Sequence, residues 1–133
     1  MSGRFGPGTR LNYVLNADLS LYSVTAGSPG IMLTQTQFSR LNGAASGITG
    51  IGLSVEQGYT FANSISAIDI EASQVGLSIT SLYANRNTFS SPYFNCPTPI
   101  VATAGERNML LNPSYGAAAP PDMSKLVGVV SIP

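Results

Sequence analysis

The chain has 133 residues, 44% of them hydrophobic, and its 6 basic and 6 acidic residues leave a formal net charge of zero. That length fits a single domain, the lone cysteine excludes an internal disulfide, and no apolar run reaches the length of a membrane-spanning helix. Histidine is absent, which removes Ser-His-Asp and Cys-His nucleophilic arrangements, the commonest neutral-pH base and most zinc and copper sites.

Residues 1–10, MSGRFGPGTR, hold three glycines, one proline and two arginines, a composition that suits neither helix nor strand and reads as an extended arm. It lacks the hydrophobic stretch of a secretory signal. In LNYVLNADLSLYSVT, Leu11, Tyr13 and Leu15 alternate, as do Leu19, Leu21 and Ser23, with turn residues at 16–18 between them. The pattern predicts a β-hairpin. A break at 26–30 leads to a Thr-rich apolar run, and a short helix over 34–43 is open there, with Thr34 as cap and Gly43 as stop.

The segment 42–52, NGAASGITGIG, has four glycines in eleven residues. A phosphate-binding loop needs Lys and Ser/Thr after its second glycine, and a dinucleotide fingerprint needs a different glycine order after a strand. Neither fits, so the segment reads as a bend, its glycines permitting positive φ. Residues 64–83 fit two periods. Ile65, Ile68, Ala72, Val75, Ile79 and Leu82 match one helix face, while Ile68, Ile70 and Ala72, then Val75, Leu77 and Ile79, alternate. The β-branched content and Gly76 favour two strands turning near 73–74.

Seven of the nine prolines lie at or beyond Pro92, so the second half is coil-rich, broken by IVATA, NMLL and the terminal KLVGVVSI. No internal repeat is visible. The fold expected is mainly β, an antiparallel β-sandwich or small barrel. It comprises an N-terminal arm (1–10), a β-rich core (11–112) and an extended C-terminal tail (113–133) ending in a strand.

Little chemistry is available to this chain. Cys96 has no basic neighbour within nine residues and reads as buried apolar filler. Asp69 and Glu71 point the same way on a strand and read as a solvated face paired with an arginine in preference to a glycosidase pair, with metal binding left open. Arg4, Arg10, Arg40, Arg86 and Arg107 are scattered, which argues against nucleic acid. No catalytic, cofactor-binding or metal-ligating residue is assigned, and no enzyme activity or cofactor is expected.

The scarcity of charge is informative. Charged residues are 9% of the chain against about 25% in ordinary domains, or about one charge per 550 Å² of a compact surface of this mass. The economical reading is a surface largely covered by other protein. In composition the whole chain resembles small virion structural proteins, namely phage coat, capsid cement or decoration, and tail components. That resemblance implies a structural subunit in the virion, assembled in the host cytoplasm, whose partners are copies of itself or a major capsid protein. The contacts expected are Arg4, Phe5 and Arg10 on the arm, and Tyr115, Leu126, Val127, Val129, Val130 and Ile132 on the tail. The alternative is a β-sandwich binding module for carbohydrate or a receptor, with Arg86, Phe89, Tyr93 and Phe94 in the loop 85–95 as its candidate surface.

Overall fold

Alternating apolar residues pair here not with their neighbours across a tight turn but with residues one full circuit later. The computed structural model describes residues 8–24, 28–72, 74–116 and 119–133. Every strand pairing in it is parallel, and the chain winds as a β-solenoid.

One face is a five-stranded sheet of β1 (Thr9–Asn12), β3 (Ile31–Thr34), β5 (Ile51–Val55), β9 (Val75–Ile79) and β13 (Thr98–Ala102). Thr9, Ile31, Leu53, Leu77 and Ile100 stack in register, at steps of 22, 22, 24 and 23 residues. The broad face opposite begins with β2 (Asp18–Val24) and β4 (Arg40–Ile48). Later circuits divide it into the pairs β7 (Ser64–Ser66) and β8 (Asp69–Ala72), β11 (Thr88–Ser90) and β12 (Tyr93–Asn95), and β14 (Asn108–Leu111) and β15 (Ser114–Tyr115). It ends with β16 (Val129–Ile132). A narrow third face holds β6 (Thr60–Phe61) and β10 (Ala84–Asn85), prolonged by single bridges Leu15–Gln37–Phe61 and Asn85–Glu106.

The core lies between the five-stranded sheet and the broad face. Ile31, Leu53 and Leu77 meet Ile65, Ile70, Phe89, Phe94 and Leu110, all essentially buried. Fitting rings and branched chains into so thin a prism requires missing side chains opposite them. Gly30, Gly52 and Gly76 stand one circuit apart at these places. A Cβ on Gly76 would lie 2.8 Å from the Phe94 ring and 2.6 Å from the Pro99 carbonyl, and one on Gly52 would overlap Ile70. So Gly52, in the glycine-rich segment, is a close-packing position, while Gly50 at φ 110° makes the bend.

The corners between the narrow and broad faces share one device. Asn16, Phe38, Ala62, Arg86 and Arg107 adopt positive φ of 53°, 50°, 56°, 56° and 55°. Each costs about 1–2 kcal/mol for an L-residue, and each precedes a residue that turns inward. Four of those residues, Ser39, Asn63, Asn87 and Asn108, are buried and hydrogen-bonded in a ladder. Asn63 Nδ2 donates to the Thr36 carbonyl at 2.7 Å and to Asn87 Oδ1 at 2.9 Å. Asn87 Nδ2 donates to the Thr60 carbonyl and to Asn108 Oδ1, both at 2.9 Å, and Asn108 Nδ2 to the Ala84 carbonyl at 2.7 Å. Each Oδ1 also accepts the backbone N–H of the preceding circuit, from Ser39, Asn63 and Asn87 in turn.

The antiparallel sandwich or barrel is thereby overturned. Period-two alternation reports which residues face inward and is silent on strand direction, and circuits of 21 to 25 residues supply the crossover that parallel neighbours need. The segment 11–25 is no hairpin: β1 and β2 lie on different faces, joined by a corner through Tyr13 and Asn16, both at positive φ. The helix left open over 34–43 is absent, its residues ending β3 and starting β4. The segment 64–83 holds three strands, β7, β8 and β9, with β8 and β9 on different faces, while residue 73 lies outside the described residues. A structural repeat exists although none is visible in the sequence, because circuits share corner geometry more than residue identity.

Asn87→Ala is expected to cost about 3 kcal/mol, since it removes the buried partner of the Asn63 backbone N–H and of the Thr60 carbonyl. Gly76→Ala should cost about 1–3 kcal/mol by overpacking against Phe94. Urea unfolding midpoints measure both, and near-wild-type values for Asn87→Ala would show that the ladder is dispensable.

Candidate interaction surface

The outward residues of the broad face stand in columns, one residue per circuit. The first runs Asp18, Arg40, Ser64, Thr88, Met109, Val130. In the second, Ser20 pairs Asn42, and further along Ser66, Ser90, Leu111 and Ile132 follow in register. Both are polar until β14 and β16, where they turn apolar together. Val130 is 57% exposed and Ile132 45%, with Met109 and Leu111 half-buried beside them. Four adjacent apolar side chains at the end of two otherwise hydrophilic columns form an interaction patch.

The residues singled out in the sequence fall in several places. Arg4 and Phe5 lie outside the described residues. Arg10 is exposed on β1, which incorporates the end of the expected arm. Tyr115 stacks on Phe94 with ring centroids 5.8 Å apart, and burial raises its hydroxyl pKa. The tail folds back on its own chain. Met123 and Leu126 pack against the core, Val127 N–H donates to the Ala102 carbonyl at 3.0 Å, and β16 pairs with β14. Val129 is buried and Val127 exposed. Val130 and Ile132 therefore join the patch, while Met109 and Leu111 were missed. The offset of 21 residues between Met109 and Val130 was the available signal.

A third outward column of the broad face runs through Tyr22, Ala44, Asp69 and Tyr93, and both tyrosines are exposed. Asp69 and Glu71 point outward on β8, in register with Tyr93 and Asn95. Glu71 accepts a hydrogen bond from Ser46 Oγ at 2.9 Å. Partial burial, and then the Glu71 charge, raise the Asp69 pKa. Arginine is not their partner: the ion pairs among the described residues are Arg40–Asp18 at 3.5 Å and Lys125–Asp122 at 3.7 Å, both exposed. Among the described residues no group of three or more His, Cys, Asp or Glu side chains could hold a metal ion. Cys96 is buried, and burial raises its thiol pKa. Phe89 and Phe94 of the loop 85–95 are core residues, leaving Arg86 and Tyr93 on different faces.

A cavity of about 430 Å³ lies between β13 and residues 119–126. Its Asp122 and Lys125 pair with each other, and its other walls are mainly proline and aliphatic side chains. Comparisons with protein-family models, with curated proteins and with solved structures find no match.

A raised Asp69 pKa means that the folded chain holds this proton more tightly than the unfolded chain, so ionisation of Asp69 works against folding. Asp69→Asn is expected to stabilise slightly at neutral pH, with the gain shrinking as pH falls through the folded pKa toward the usual value of 3.8. Unfolding midpoints across that range check it. Cys96 should resist a thiol-specific reagent in native buffer and react promptly in denaturant.

Proposed function

We propose that this chain is a structural, non-enzymatic subunit of a protein assembly, a virion component of the cement or decoration type. The observation that carries this reading is the change of the two outward columns from Ser, Thr and Asn to Met109, Leu111, Val130 and Ile132. Such a patch is costly to leave in water. Burying a side chain of this size contributes about 1.5–3 kcal/mol. Its position at one end supports a subunit attached there, with the remaining broad face in solvent, over a coat subunit enclosed by neighbours on every side. The scarcity of charge supports the same reading, because few ionic groups oppose contact with another protein surface. Its partner is a further copy or a major capsid protein that presents a matching apolar surface.

The test is sedimentation of the wild-type chain and of Val130→Asp/Ile132→Lys, alone and with the particle's other structural proteins. The wild type should associate, and the variant should bind at least tenfold more weakly with an unchanged circular-dichroism spectrum. A wild-type chain that stays monomeric at high concentration and ignores every particle protein would overturn the reading.

A further inference from the structure

On the narrow face, away from the apolar patch, the stack Phe61, Asn85, Glu106 steps down from a ring to a short amide. The step leaves a hollow of about 290 Å³, lined by Tyr59, Phe61, Asn85, Arg86, Glu106 and Arg107. That volume lies at the lower end of small-ligand sites. We infer that it binds a carboxylated sugar unit.

The aromatic wall is held in place. Tyr59 packs on Tyr83 with centroids 4.5 Å apart and Phe61 meets Phe38 edge-on at 4.9 Å, so an apolar sugar face finds a platform with little left to order. Arg86 and Arg107, which line the same hollow, occupy equivalent corner positions in successive circuits, both at positive φ and each just before a ladder asparagine. Stacked strands lie about 4.8 Å apart, so the fold sets two like charges side by side, an arrangement that is unfavourable on its own. An anion between them relieves the repulsion and accepts charge-assisted hydrogen bonds.

Two further features choose the kind of anion. Glu106 also lines the hollow, so its local charge is +1. That matches a carboxylate and disfavours a phosphate monoester carrying nearly two charges. The Glu106 carboxylate itself accepts hydrogen bonds, which favours a ligand that carries hydroxyl donors beside its own anionic group. A uronic-acid unit of a polysaccharide combines these properties.

The experiment is titration calorimetry on the full chain with oligogalacturonate, its neutral galactose counterpart and ribose 5-phosphate, in low and high salt. The variants are Arg86→Asn/Arg107→Asn, since asparagine tolerates the corner conformation, and Tyr59→Ala. Oligogalacturonate should bind best, weaken as salt rises, and lose at least tenfold in each variant, with unfolding midpoints confirming that each stays folded. Equal or absent binding of the acidic and neutral sugars, tighter binding of the phosphate, or undiminished binding by the folded arginine variant would each overturn the proposal. None of these outcomes bears on self-association through β16.

Discussion

The buried amide ladder is the interaction on which the rest of this molecule depends. A solenoid corner must turn the chain sharply while leaving backbone N–H and C=O groups inside, where an unpaired group is costly. Ser39, Asn63, Asn87 and Asn108 solve both problems together, since each side chain bonds backbone groups of the preceding circuit. The left-handed residue before each one is the conformational cost of aiming it inward, and the hydrogen bonds offset that cost. Asparagine suits this role because one planar group carries both donor and acceptor, so identical units stack without alternation.

With the corners fixed, the faces are free to differ. The five-stranded sheet is committed to packing, its inward columns aliphatic beyond Thr9 and its glycines admitting the bulk of the broad face. The broad face shares its inner side with that core and varies outside, where two polar columns give way to the Met109–Val130 end. The narrow face has single bridges in place of long strands, and side chains of every type occupy its stack, from Leu15 to Glu106. Association and ligand binding therefore fall on separate surfaces of one scaffold.

The sequence was readable for composition and for which residues face inward, and much less so for connectivity. Ile68, Ile70, Val75, Leu77 and Ile79 were read as strand residues and lie in or beside strands with their side chains largely inside. Direction was hidden because Leu11 and Leu19 alternate with polar neighbours whether the next strand returns beside them or leaves for another face. The circuit was hidden because its length drifts between 21 and 24 residues along the ladder, from Asn87–Asn108 to Ser39–Asn63. Asn63, Asn87 and Asn108, with Gly30, Gly52 and Gly76, were the visible trace, and they recur in geometry where the sequence between them does not. Of the patch, Val130 and Ile132 were legible as a hydrophobic terminal run. Met109 and Leu111 became partners only once β14 and β16 were known to be parallel neighbours. The hollow at Tyr59 and Arg107 joins residues 48 positions apart, a distance no local motif spans.

Because each strand bonds only to the circuit before and the circuit after it, the molecule resembles a stack of nearly interchangeable storeys more than an interlocked puzzle. Removing or duplicating one whole storey, from one ladder asparagine to the next, would shorten or lengthen the prism by about 4.8 Å while leaving the contacts above and below intact. Such an architecture lets height change in fixed increments under selection without renegotiating the core.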